Sequence, residues 1–233
     1  MRRGWWLLPS ACALCGQQAS AAVCAPCSAD YLAERRARCP RCANPCAPRD
    51  AARPCGRCQA ERPAFDATVV AADYAAPLDQ LVLQLKFGAA LSLAPWCAHM
   101  LAEAVRRRRL ELPNVLCPVP LGRARLAGRG YNQALEIARP LAHALNIPLH
   151  TRLAVRALDT PAQSRLTPAE RRANLRHAFI VAPDALAMVR GQHIGVVDDV
   201  MTSGQTLHEL AAMFKRFGAA RVSNFVFART PPT

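Results

Sequence analysis

After residue 63, apolar and polar positions alternate with two periods that repeatedly exchange places. The run Ile194 to Val197 is short, branched and apolar, and polarity switches abruptly at Asp198, as a buried parallel strand requires. Leu207, Leu210, Ala211, Phe214 and Phe217 then recur at helical spacing until Gly218 supplies a stop. Upstream, Asp66 to Ala72 reads as a strand leading to Tyr74. Pro77 opens a helix with Leu78, Leu81, Val82 and Leu85 on one face, and Gly88 ends it. A longer helix is predicted around Pro95 to Arg109, and Val115 to Leu121 reads as a second buried strand running into a constrained turn. Asn132 caps a further helix through Leu135, Ile137, Ala138, Leu141 and Leu145, which Pro140 should kink. Thr167-Pro168-Ala169-Glu170 has the form of a capping box, and Arg221 to Ala228 makes a final strand. Strands alternating with helices predict the α/β class, a mainly parallel sheet flanked by helices.

Two stretches break this alternation. From Gly122 to Gln133 there is no periodicity, and the arginines and glycines predict a flexible basic loop in which Arg123, Arg125 and Arg129 can clamp a diphosphate. Before Pro63, cysteine dominates instead. Eight of the eleven cysteines form four Cys-x-x-Cys pairs: Cys12/Cys15, Cys24/Cys27, Cys39/Cys42 and Cys55/Cys58. Each such knuckle turns both thiolates toward one ion, and two knuckles complete a tetrahedral shell, so two structural zinc ions in tandem ribbons are expected. Gly16 and Gly56 adjoin knuckles, where turns need them. Cys97 and Cys117 lie in apolar stretches and read as core thiols, whereas Cys46 could replace Cys42 or Cys55 without violating any spacing. The change of regime puts a domain boundary at Pro63, with residues 1–63 a double zinc ribbon and 64–233 the α/β domain.

The richest candidate chemistry follows the strand at Ile194. Asp198 and Asp199 lie where strand gives way to loop, and Thr202-Ser203-Gly204-Gln205-Thr206 leads into the next helix. Backbone N–H groups at a helix start attract an anion, and the hydroxyls of Thr202, Ser203 and Thr206 add donors around it. Adjacent carboxylates repel phosphate and suit ribose hydroxyls or a hydrated Mg²⁺. A ribose 5-phosphate satisfies both halves. Lys86, at the exit of its helix, is either a favourable cation at a helix C-terminus or a phosphate ligand.

Charge adds less than its size suggests. The net +14 points to anionic partners, yet eight thiolates and two Zn²⁺ would lower residues 1–63 from a formal +6 to +2. That argues against a strongly basic DNA-binding finger. Only Lys86 and Lys215 are lysines among thirty basic residues, a bias that weakens the claim of any single arginine. No segment is apolar for long enough to span a bilayer. Trp5 to Leu8 imitates an export signal but is too short and is interrupted by Pro9, so a cytoplasmic location and reduced cysteines are expected.

The segment from Asp198 to Thr206 resembles the 5-phosphoribosyl-1-diphosphate (PRPP) motif of type I phosphoribosyltransferases. With the four cysteine pairs, Leu85-Lys86-Phe87, Pro118-Val119-Pro120-Leu121 and Arg129-Gly130-Tyr131-Asn132-Gln133, the chain resembles the ComF family of competence-associated phosphoribosyltransferase-like proteins over nearly its whole length. Tyr131 stands where that family usually has phenylalanine, and Met201 where a small or branched residue is more usual. Arg171, Arg172, Asn174 and Arg176 resemble a family segment ending in Asn-Leu-x-x-Ala-Phe. The resemblance implies PRPP with Mg²⁺ as ligand, with Asp198 and Asp199 as the catalytic pair. Lys86, Arg123, Arg125, Arg129, Thr202, Ser203, Gly204, Gln205 and Thr206 are the implied substrate contacts. It further implies a link to natural transformation, with single-stranded DNA and DNA-uptake proteins as partners. Two functions stay open: pentosyl transfer to an unidentified acceptor, and a non-catalytic PRPP sensor that binds single-stranded DNA. Stacking aromatics for DNA are few.

Overall fold

The computed structural model describes residues 10–32, 36–157 and 178–231. The cysteine pairs build one small unit twice. In the first, β1 (Ser10–Ala11) pairs antiparallel with β2 (Gln18–Ala19), and Cys24 leads into α1 (Ala25–Leu32). In the second, Arg38 bridges Pro45, and Cys55 leads into α2 (Gly56–Glu61). Equivalent bonds hold both: the Cys12 N–H donates to the Gln17 carbonyl at 2.7 Å, and the Cys39 N–H to that of Asn44 at 2.8 Å. The fourth residue after each of these cysteines takes a left-handed backbone, with φ of +73° at Gly16 and +57° at Ala43. The second unit's turn therefore uses an alanine, and Gly56, expected to serve a turn, begins a helix.

The remaining elements are β3 (Ala67–Asp73), α3 (Leu78–Phe87), α4 (Leu93–Arg108), β4 (Val115–Pro118), α5 (Arg123–Arg129) and α6 (Gln133–Leu145), then β5 (Ala154–Arg156), β6 (Phe179–Val181), β7 (His193–Met201), α7 (Gln205–Arg216) and β8 (Arg221–Arg229). Two expectations are corrected. The basic segment expected to be a flexible loop is mostly α5, capped by Gly130, whose N–H donates to the Leu126 carbonyl at 2.8 Å. None of its residues is buried, so it carries no apolar stripe for periodicity to reveal. The strand expected to end at Val197 runs on to Met201, because its backbone keeps pairing with β8 through Asp198↔Val226, Val200↔Ala228 and Met201↔Arg229. The signal-like run at Trp5 to Leu8, the capping box at Thr167 and the Arg171 to Arg176 segment lie outside the described residues.

β3, β8, β7 and β4 form a four-stranded sheet in that order, every neighbouring pair parallel. Alternation along the strands divides the core in two. Val69, Val197, Phe225 and Phe227 pack with α3, α4 and α6, and Cys12 and Val23 of the first cysteine unit join them. Val70, Val196, Val222 and Val226 pack with α7 and the antiparallel β5–β6 pair, together with Cys39, Cys42 and Cys58 of the second unit. The two cysteine units thus serve opposite faces of one sheet. Buried polar residues pair across strands: the Asn224 amide donates to Thr68 Oγ1 at 3.1 Å, and His193 Nε2 lies 2.8 Å from Ser223 Oγ.

Candidate functional site

Asp198 and Asp199 project from β7 near the C-terminal ends of the parallel strands, the edge of an open α/β sheet at which ligands bind. Asp198 is half-buried, and Asp199 is buried at 7% exposure, not solvent-facing. Lys86, in the last turn of α3, places Nζ 3.3 Å from Asp199 Oδ2, so it is an ion-pair partner of the second acid rather than an idle helix-end cation. Burial, reinforced by the Asp199 charge, holds the Asp198 carboxyl well above the usual carboxylate range. The Asp199 N–H, 2.9 Å from Asp198 Oδ1, and the Lys86 charge oppose that rise without cancelling it.

Thr202 and Ser203 are exposed on the loop after β7, and Gly204, Gln205 and Thr206 make the turn into α7. Gly204 caps the helix with φ +83°. Ser203 Oγ accepts from the Gln205 N–H at 3.3 Å, and the Gln205 side chain donates to Glu209 at 2.9 Å. The loop and the second cysteine unit both line a cavity of about 560 Å³, with Arg57, Glu61, Phe65, His208 and Arg229 among its lining residues. Arg229 carries no signal at the level of sequence. It is a buried charge closing an otherwise ordinary strand, and in so arginine-rich a chain nothing about its position singles it out.

Tyr131 and Arg129 bring the basic segment to the same edge. The Tyr131 hydroxyl donates to the Leu85 carbonyl at 2.7 Å, and the Arg129 guanidinium stacks 5.1 Å from the centre of the Phe87 ring. Both contacts grip the end of α3, on either side of Lys86. Arg129 also donates to Gln133 at 3.1 Å, whereas Arg123 is exposed and Arg125 half-buried on α5. Asn132 caps α6, accepting from the Ala134 N–H at 3.0 Å and donating to the Val119 carbonyl at 2.9 Å. Elsewhere, Arg36, Arg38, Arg107 and Arg108 border a second cavity of about 420 Å³. Arg36 and Arg38 pair there with Asp73 at 3.1 and 2.8 Å.

Cys12, Cys15, Cys24 and Cys27 form one sulfur cluster and Cys39, Cys42, Cys55 and Cys58 another, with the ligand atoms of each within 4.8 Å of one another. Cys46 belongs to neither, which removes it as a replacement for Cys42 or Cys55. Zinc–sulfur bonds of about 2.3 Å imply a tetrahedral edge of about 3.8 Å. Cys15 and Cys24 sulfurs lie 3.8 Å apart, and those of Cys42 and Cys55 3.6 Å. Burial raises the Cys12 thiol, but backbone N–H groups of Cys15, Cys24 and Leu14 outweigh it and bring it down to about 6. Cys39 behaves alike, at about 7, while burial chiefly pushes Cys42 up to about 11. One thiolate per cluster forms readily and opposes the next, a conflict that a central dication removes. Both donor sets fit a tetrahedral metal ion. Cys97 and Cys117 are buried, as their apolar surroundings predicted, and burial raises both thiols.

A family profile described as "Phosphoribosyl transferase domain" matches residues 132–232. The DNA utilization protein YhgH of Salmonella typhimurium is 34% identical over 230 residues, covering 96% of this chain and 98% of that protein. The protein of the same name from Escherichia coli K12 is 33% identical over the same shares. Competence protein F of Haemophilus influenzae is 32% identical over 183 residues, 75% of this chain and 78% of its own. Among the described residues, no helix is long and apolar enough to cross a membrane.

Proposed function

The chain belongs to the ComF family of competence-associated, phosphoribosyltransferase-like proteins, and on that footing we propose that it binds PRPP with Mg²⁺ and transfers the phosphoribosyl group to an acceptor in the handling of DNA. The observation that carries this reading is the adjacency of three parts: the acid pair on β7, Lys86 on Asp199, and the left-handed turn at Gly204 that opens α7. Asp198 and Asp199 would accept the ribose hydroxyls, and the N–H groups from Thr202 to Thr206 would receive the 5-phosphate. Arg123, Arg125 and Arg129, carried to the end of α3 by Tyr131, would face the diphosphate. Because Lys86 already engages Asp199, Asp198 would be the carboxylate available to hold the Mg²⁺. The ion would supply charge neutralisation for a departing diphosphate. Residues 1–63 would form the metal module, its two cysteine clusters each holding a structural Zn²⁺, and 64–233 the transferase-type domain.

Isothermal titration of the full chain with PRPP and Mg²⁺ tests the reading, and a diphosphate-release assay over nucleobases and DNA tests transfer. Wild type should bind, and Asp198→Asn combined with Asp199→Asn should abolish binding while the fold persists by circular dichroism. Equal binding by the double variant would remove the loop and its acids from consideration. The arginine-lined cavity at Arg36, Arg38, Arg107 and Arg108 favours a second reading, a PRPP sensor that holds single-stranded DNA by its phosphates. PRPP binding without diphosphate release on any acceptor, together with salt-sensitive DNA binding, would support the sensor.

A further inference from the structure

Two arginines connect the second cysteine cluster to the loop after β7. Arg229 is 3% exposed; its Nε donates to the Cys42 carbonyl at 3.3 Å. Its Nη1 donates to the carbonyls of Met201 at 3.0 Å, Thr230 at 2.7 Å and Thr202. Arg57, inside the Cys55–Cys58 knuckle, donates from Nη2 to the Ser203 carbonyl at 3.3 Å. In a trans peptide the C=O and the following N–H point in opposite directions. Arginines that draw the carbonyls of Thr202 and Ser203 toward the cysteine unit therefore turn the N–H groups of Ser203 and Gly204 away from it, while the Met201 carbonyl is held as well by the Thr230 N–H at 3.0 Å. The guanidinium is a rigid planar fork, so a displacement of Cys42 at one edge of Arg229 is passed to the loop at the other. The first cluster's unit packs elsewhere, on α4, where Trp96 Nε1 donates to Ser28 at 2.7 Å.

We propose that Arg229 and Arg57 are positioning residues that aim the loop's N–H groups at the anion, so that the second cysteine cluster, and not the first, supports PRPP binding. The proposal rests on reading this loop as the phosphate site, and its test separates the two. Amide hydrogen exchange of residues 202–206 in the full chain reads the loop without any ligand; titration with PRPP and Mg²⁺ reads the site. Arg229→Lys keeps the charge and loses the fork. It should speed exchange in the loop at least tenfold and weaken PRPP at least tenfold, with metal content unchanged by elemental analysis. Arg57→Ala, at a more exposed position, should do the same by about threefold and keeps the test open should Arg229→Lys fail to fold. Cys55→Ser should loosen the loop and Cys24→Ser, the matching change in the first cluster, should not. Loop exchange at the wild-type rate in both arginine variants, or an equal response to the two cysteine variants, would overturn the proposal. Faster exchange in a protein that never binds PRPP would uphold the clamp and reject the phosphate reading.

Discussion

Gly204→Ala tests the turn on which the candidate phosphate site depends. Gly204 holds φ at +83°, and an added Cβ would lie 2.5 Å from Met201 Cε and 3.9 Å from Phe65 Cζ. Keeping an alanine in the left-handed region costs about 1–2 kcal/mol. The Met201 methyl ends a flexible side chain and can step aside, but Met201 is 2% exposed, so its displacement disturbs packed neighbours and adds a smaller increment. A total of about 2 kcal/mol corresponds to a fall in Tm of roughly 4–8 °C for a chain of this size. Calorimetric melts with and without PRPP and Mg²⁺ separate fold from site. At a ligand concentration a hundred times Kd, wild type should gain about 2.7 kcal/mol. The variant should lose most of that gain, since relaxing φ rotates the N–H groups that open α7. A variant that melted within about 1 °C of wild type and kept the full ligand shift would refute the reasoning.

Gly195→Ala should fail for a different reason: its Cβ would sit 2.5 Å from Leu116 Cδ2, 2.7 Å from Pro113 Cγ and 2.9 Å from Phe225 Cε2, neighbours with no room to retreat. The cost is at the upper end of the 1–3 kcal/mol range for overpacking, read as a lower urea midpoint; an unchanged midpoint would contradict the packing of β7 against β4 and β8. Asp198→Asn should stabilise the ligand-free protein at neutral pH. Because the folded carboxyl titrates above its unfolded value, its contribution is fully present below about pH 4 and is lost as pH rises through the folded pKa. The gain in Tm should therefore be present at pH 7.5 and vanish near pH 4, and a lower Tm at pH 7.5 would count against it. Protein purified without chelator should carry two zinc ions per chain, and stripping them should lower Tm; less than one zinc per chain would rule out the tetrahedral assignment.

Much of this architecture was legible because period and partner coincide. Leu78, Leu81, Val82 and Leu85 meet the core as their spacing required, and the cysteine spacing announced both clusters. The errors arose where an element's stability comes from elsewhere. Helix α5 buries nothing and so leaves no pattern. Asp198 and Asp199 break the apolar run of β7, yet the strand continues past them through bonds to β8, a partner that local polarity does not encode. Lys86 was legible as a cation but not as the partner of Asp199, since that contact joins residues more than a hundred positions apart. Ala43 shows the same limit from the other side: a residue ordinarily poor at positive φ stands where the first unit has Gly16.

The strand order β3-β8-β7-β4 also bears on how the chain is made. Its outer strands, residues 67–73 and 115–118, leave the ribosome well before the inner ones, residues 193–201 and 221–229. β3 and β4 thus wait, unpaired, for the partners that will separate them, and the sheet closes from its middle only when residues near Arg229 emerge. Meanwhile the cysteine units, whose ligands all lie before residue 59, can already close on metal. The nascent chain is then a metal-bound head followed by apolar segments without a home, which is when aggregation threatens most and a chaperone has most to do.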